Sequence, residues 1–324
     1  MGHIEIFLES CQQKIKQQMN RMKFLCLSRW FMSNEKVITG TIFIFPAVLI
    51  FSVFVILPLI QSARFSLYSW KGFGSPTLFI GISNYRELIL DRLFWQSLRN
   101  NGFVMIWSLS TQIPLGISLA ILLTGQVKGS SFFRTLYLSP LVLSGVVVGL
   151  LWQWIYNPTF GLANELLKIM GLEEFTSIWL GSDKIALGCV MLVSTWRDLG
   201  FYIVIFATAI QSFPQEIIEA AIIDGAKGWQ LHRYITIPLL KNTILTASVL
   251  SIIGSLQFFD LVWVMTRGGP YHSSELVTSY MFKTAFTLKN WGYATTLGFV
   301  LFFITLVIVI IFILVTQKEK STKE

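Results

Sequence analysis

Three ionisable side chains stand inside otherwise charge-free apolar stretches: the adjacent pair Arg197 and Asp198 in STWRDLGF, and Asp260 in QFFDLVWVM. A charge at membrane depth is costly unless it is paired or faces water, so each of the three needs a partner or an aqueous path. Asp260, with Gln257, Phe259 and Trp263 beside it, suits the wall of a solute pathway. Rings would stack on a flat solute face while carboxylate and amide bind its polar groups. Its place seven residues before Arg267 also fits the outer mouth, or a hydrogen bond between helices. Arg197 and Asp198 are consecutive, and consecutive residues do not share a helix face. Each is therefore expected to pair with a neighbouring helix, in a structural or gating role. Gln153 and Asn157 are further polar candidates, and Gly268, Gly269 and Pro270 in RGGP argue for backbone geometry first.

A second stretch, EAAIIDGAKGWQLHRYITIPLL from Glu219 to Leu240, is too polar to cross a bilayer and too patterned for a slack linker. Ser212 followed by Gln215 has the spacing of a capping box, and Pro214 is tolerated in a first turn. Glu216 and Glu219 favour the positive end of a helix dipole. Ile217, Ala220, Ala221 and Asp224 recur at three or four residues and are expected to share a face. Gly225 permits a sharp reversal, and a second helical stretch is predicted from Trp229 to Pro238. Helix, glycine turn, helix is the expected form. Its alanines leave a surface open to close approach by a cytosolic partner, or the hairpin lies on the membrane surface by itself.

The elements that must carry these residues are set by composition. The 324-residue chain is 54% hydrophobic and 13% charged, against roughly 25% charged in soluble domains. About 20 apolar residues cross a bilayer core. Charge-free runs supply spans at about 38–60, 100–123, 135–156 and 291–316; runs holding the three internal charges supply 185–210 and 242–266. Six spans put both termini on one side. The termini and the loops on their side carry more Lys and Arg than the opposite loops, which places them in the cytoplasm. The expected organisation is a cytoplasmic tail 1–37, a transmembrane domain 38–316 with a polar loop 211–241, and a cytoplasmic tail 317–324. Pro46, Pro58, Pro114, Pro140, Gly116, Gly145 and Gly149 lie within the spans and indicate a packed bundle. GLANELLKIMGL reads as a short interfacial helix stopped at Gly171.

Several chemistries are argued against. The net charge of +8 sits beside spans and is not interleaved with aromatics, so no nucleic-acid partner is expected. Cys11, Cys26 and Cys189 have no framework spacing, and His3, His232 and His272 are scattered, so neither disulfide nor metal is assigned. Acids, His and Cys do not cluster as a membrane enzyme would need. Sparse internal charge and the polar loop argue against a self-sufficient channel or proton-coupled carrier. A Gly-x-x-x-x-Gly-Lys-Ser/Thr phosphate loop is absent from the sequence, so ATP hydrolysis is not expected of this chain and no cofactor is assigned to it.

The polar stretch resembles the EAA loop of permease subunits of binding-protein-dependent ABC importers. The family pattern is Glu-Ala-Ala, three residues, Gly, nine residues, Ile, one residue, Leu-Pro. Glu219, Ala220, Ala221, Gly225, Ile235 and Pro238 stand at those spacings, with Ile237 in place of Leu. FPAVLIFSVFVILPLIQSARFSLYSW, GISNYRELILDRLFWQSLRNN, LSPLVLSGVVVGLLWQWIYNPTFGLAN, FFDLVWVMTRGGP and AFTLKNWGYATTLGFVL are similar to segments of the carbohydrate-uptake branch, the permeases for glycerol phosphate, maltose and multiple sugars. The resemblance covers about residues 38–311. It implies an all-α membrane protein with six transmembrane helices and a type I importer core. It implies ATPase coupling through Glu219, Ala220, Ala221, Asp224, Gly225, Ile235 and Pro238. The implied partners are a second permease subunit (a different chain), two cytosolic ATP-binding subunits that hold ATP and Mg, an extracytoplasmic solute-binding protein, and the lipid bilayer of a bacterial inner membrane.

Overall fold

A computed structural model of the chain describes residues 39–76, 78–124 and 130–321. The tail 1–37, with Cys11, Cys26 and His3, and residues 322–324 lie outside the described residues. The chain falls into two units, Met1–Gln61 and Ser62–Glu324. Most of the apolar helix α1 (Thr39–Phe65) belongs to the first.

In the second unit a two-stranded antiparallel ribbon, β1 (Tyr68–Ser69) with β2 (Leu78–Phe79), pairs Tyr68 with Phe79. Helix α2 (Ser83–Leu90) leads to α3 (Arg92–Thr124), a helix long enough to cross a membrane. Next come α4 (Ser130–Val142), α5 (Gly145–Ile155), the short α6 (Leu162–Ile169) and the long α7 (Ala186–Gln211). After α7 stand α8 (Gln215–Ile223) and a second limb, α9, built of Trp229–Leu231, a π turn His232–Thr236 and Ile237–Leu239. The chain closes with α10 (Lys241–Leu256), α11 (Asp260–Met265), α12 (Val277–Phe282) and α13 (Trp291–Ser321).

Two expected spans are not continuous helices. The run 135–156 is two helices, Thr135–Val142 and Gly145–Ile155, set at 106°. Ser144 breaks them apart with an extended backbone and caps the second, its hydroxyl accepting from the Val147 N–H at 3.3 Å. The run 242–266 is interrupted at Gln257–Phe259. There the freed backbone groups find protein partners, as they must away from water. The Asn101 amide donates to the carbonyls of Ser255 (3.2 Å) and Leu256 (3.3 Å), and its oxygen accepts from the Val277 N–H. The Thr278 hydroxyl donates to the Phe258 carbonyl at 2.5 Å. Hydropathy registers neither break, because each lies within a run whose mean stays apolar.

Small residues set the helix spacing, since lipid tails offer no hydrophobic drive for helices to associate. A β-carbon at Gly116 of α3 would come within 2.8 Å of the Tyr202 β-carbon on α7; one at Gly149 of α5 would come within 2.7 Å of Val264 on α11. The interior holds three packed groups. Val104, Val148, Val190, Val193, Leu261 and Val262 join α3, α5, α7 and α11. Phe94, Val277, Tyr293 and Leu297 join α3, α12 and α13. Ile113, Ala120, Phe206, Leu240 and Ala247 join α3, α7 and α10 near the polar loop. Cys189 is a buried free thiol among the first group, the apolar filler expected. Helix α6 leaves Leu162, Leu166 and Ile169 exposed, the unpartnered face expected of an interfacial helix, and Gly171 follows at φ +72°.

Candidate functional site

The three internal charges come together. Arg197 Nη1 donates to Asp260 Oδ2 at 2.5 Å, and Arg197 Nε donates to Asp198 Oδ1 at 2.7 Å. The Ser194 hydroxyl and Arg197 Nη2 both donate to Asp198 Oδ2, at 3.0 and 3.2 Å. The expectation that Arg197 and Asp198 would pair only with neighbouring helices is therefore corrected. A long, flexible arginine stem folds back along its own helix and spans a gap that the β-carbon directions alone would forbid. Asp260 supplies the cross-helix partner. The cluster sits hard against Gly145 at the start of α5, where a β-carbon would overlap the Asp260 carboxylate. The 106° bend thus brings the positive end of α5 to the Asp260 carboxylate and the Arg197 guanidinium.

Arg197 and Asp198 also line a cavity of about 370 Å³ between α3, α7 and α10, with Ser108, Gln112, Ser251 and Ser255 among its polar walls. Sequence reasoning passed over these hydroxyl and amide groups. Their signal is the spacing: Ser108 and Gln112, Ser194 and Asp198, and Ser251 and Ser255 are each four residues apart, so each pair forms a polar stripe on one face of an apolar helix.

The aromatic candidates are partly taken up by one another. Phe259 and Trp263 stack at 5.7 Å with 16° between planes, and both lean on Phe282 at 5.3 and 4.6 Å. Gln257 is exposed at the break before them. Gln153 does not line the cavity around Arg197; its amide donates to the Val264 (2.7 Å) and Met265 (3.2 Å) carbonyls and ties α5 to the end of α11. Asn157 is a turn former, its oxygen accepting from the Thr159 N–H at 2.9 Å.

The turn at Arg267–Pro270 shields a charge that the sequence did not flag. Glu275 is fully buried; its carboxylate is bonded by Lys283, by the Ser279 hydroxyl at 2.6 Å and by His272 Nδ1 at 3.0 Å. Gly268, at φ +78°, presses its Cα side against that carboxylate and leaves no room for a side chain. Nearby, Asp91 accepts from the hydroxyls of Tyr280 and Tyr293, both at 2.7 Å, and from the Leu93 N–H at 2.8 Å. Burial pushes its carboxyl up, but the bonds from Tyr293, Tyr280 and the two backbone N–H groups outweigh burial and hold it below the ordinary carboxylate value.

The polar loop is helix, glycine turn, helix. Gly225 stands at φ +91°, and the Ala226 N–H reaches the Ala221 carbonyl (2.9 Å) while the Gly225 N–H reaches Ile222 (3.0 Å), which closes α8 as a Schellman turn around Asp224. The capping box is a correction: Ser212 ends α7, its hydroxyl donating to Ala209 at 2.7 Å, so it cannot also begin α8, and Pro214 takes the position before the first turn. Along α8 the four residues differ in burial. Ala221 is buried, while Glu219, Ala220 and Asp224 stay exposed. Ile235 is half-buried within the π turn and Pro238 is exposed. The elbow leaves Ile223, Trp229 and Tyr234 exposed.

Residues 112–317 match the family described as binding-protein-dependent transport system inner membrane component. A probable ABC transporter permease protein of Pyrococcus horikoshii is 38% identical over 83% of this chain and 92% of its own. The diacetylchitobiose uptake system permease protein of Streptomyces coelicolor is 35% identical over 83% of this chain and 79% of its own. In fold, the chain is similar to one from a bacterial alginate ABC transporter in complex with an alginate pentasaccharide-bound periplasmic protein. That likeness has a TM-score of 0.76 and 21% identity, and covers 87% of this chain and 95% of the other.

Proposed function

The chain belongs to the inner membrane components of binding-protein-dependent transport systems, as a multi-pass ABC transporter permease and not an enzyme, and from that premise we propose the rest of its role. It forms half of the pathway by which an ATP-driven importer takes up a sugar or related polyol. The loop 211–241 faces the cytoplasm with both termini and docks in a cytosolic ATPase, which holds the ATP and Mg. A second permease subunit, a different chain, completes the pathway, two ATP-binding subunits lie beneath, and an extracytoplasmic solute-binding protein delivers the solute. The uptake named for the Streptomyces relative supports the carbohydrate class, and the complex named for the alginate transporter supports the delivery partner.

One observation carries the coupling. Helix α7 holds Arg197 and Asp198 at the cavity, and only Ser212–Pro214 separate its end from the elbow. A push on the elbow therefore reaches the cavity wall through one stiff rod, the kind of discrete rearrangement that switching transporters use. The experiment is copurification from mild detergent with identification of bound chains, followed by ligand screening of the copurified solute-binding protein. Capture of ATP-binding and permease partners is expected. A chain that purifies alone under all mild conditions and supports no solute-stimulated ATPase would refute the reading.

A further inference from the structure

We propose that the Arg197–Asp198–Asp260 triad is a charge filter that admits neutral or cationic sugar-like solutes and rejects anionic ones, uronates and sugar phosphates included. The inference rests on the pathway reading above and narrows its substrate class.

The triad couples two carboxylates to one guanidinium. Arg197 is shared between Asp198 and Asp260, so the formal charge of the cluster is −1. Among the residues lining the 370 Å³ cavity, Arg197 and Asp198 are the ionisable Asp, Glu, Lys or Arg groups; the rest of the wall is Ser, Gln, Tyr and apolar. Nothing charged on α3 or α10 at this cavity offsets the excess. Asp260 does not line the cavity but is bonded to Arg197 Nη1, and its side chain is 39% exposed, so it contributes to the field through that contact and is not sealed away. The start of α5 faces the Asp260 carboxylate with a partial positive charge of about half a unit, so the part of the excess it leaves unbalanced acts across the width of such a cavity in a low-dielectric surround. Hydroxyl-bearing walls serve an uncharged polyol without asking it to shed charge. The same walls meet an anion with repulsion and no cation to spare, because the one guanidinium already serves two acids.

The test reads the local field without needing transport. Gly254 lines the cavity, is exposed, and a β-carbon there meets nothing within 4 Å. Gly254→Cys in a background of Cys11→Ser, Cys26→Ser and Cys189→Ala gives a single reporter thiol. Its rates with cationic trimethylammonium-ethyl and anionic sulfonatoethyl methanethiosulfonate are compared with those of a free thiol. The expected cation-to-anion preference falls about fivefold or more in Asp260→Asn, where the formal charge becomes zero. It returns to within about twofold in Arg197→Gln/Asp260→Asn, where the charge is again −1 although the ion pair is gone. A preference unmoved by Asp260→Asn, a double variant that follows the single one, or a thiol that reacts with neither reagent would overturn the filter. If either variant fails to fold, salt decides on the reporter chain alone. Raising ionic strength from about 0.01 to 1 M should collapse the preference toward the free-thiol value, and a salt-independent preference would refute it. The two readings fail separately. A shifted preference without ATPase capture removes the coupling and keeps the filter, whereas capture with an unmoved preference does the reverse.

Discussion

Gly225 is where a single β-carbon tests the coupling loop. Its φ of +91° lies in the left-handed region, and a β-carbon there would meet nothing within 4 Å. Substitution therefore perturbs backbone preference and leaves packing untouched. A non-glycine residue in left-handed backbone costs about 1–2 kcal/mol, less for Asn and more for a β-branched residue. That cost converts to a roughly 5- to 30-fold shift in the population of the closed elbow. The predicted order of damage is Gly, Asn, Ala, Val. The assay is titration of the ATP-binding subunits onto the reconstituted permease, with solute-stimulated ATPase as a second readout. Val is expected to weaken capture by about tenfold or more, with Asn near the parent. If Val binds and stimulates as the parent does, the elbow is not the docking element. If Asn is as harmful as Val while Ala is mild, side-chain contact governs the site and the backbone argument fails.

Asp260→Ala should alter solute-stimulated ATPase while assembly persists, because Arg197 keeps Asp198 as a partner; normal stimulation would remove Asp260 from the pathway. Gly145→Ala should force α5 off the Asp260 carboxylate at an overpacking cost of about 1–3 kcal/mol, read as a lower Tm with impaired stimulation, and an unchanged Tm would contradict that contact. Glu275→Gln leaves Lys283 short of its acid and should destabilise the chain by up to about 3–5 kcal/mol, with Glu275→Gln/Lys283→Met less harmful than the single change; the reverse order in thermal melts would sink the ion-pair account. The folded carboxyl of Asp91 titrates below its unfolded value of about 3.9. Its contribution is thus present above that unfolded value and lost as pH falls through the folded one. Asp91→Asn should flatten the acid limb of Tm against pH, and an unaltered limb would refute the sign.

The sequence and the structure agree where a signal is local. Five long apolar helices among the described residues follow from apolar length, α6 from its apolar spacing and Gly171, and the elbow from Gly225 and the limbs on either side of it. Long-range geometry was not legible. Nothing in QFFDLVWVM says that Asp260 reaches Arg197, 63 residues earlier in the chain. The break at Gln257–Phe259 depends on Asn101 and Thr278, which hydropathy places in other segments. Glu275 carried no signal, because its three partners, His272, Ser279 and Lys283, and the backbone of Gly268 converge on its carboxylate only in the fold. Ser212 misled because the same residue type that starts a helix also ends one.

Helix α7 runs unbroken from Arg197 to Gln211, about 21 Å at 1.5 Å per residue. Treated as a lever, a tilt of about 5° moves its far tip by about 2 Å, the width of a hydrogen-bonded gap. Slack anywhere along the shaft would absorb that stroke before it arrived. A few flexible residues spliced between Ser212 and Pro214 should therefore leave both ends well formed yet deaf to each other, spinning the engine without moving cargo.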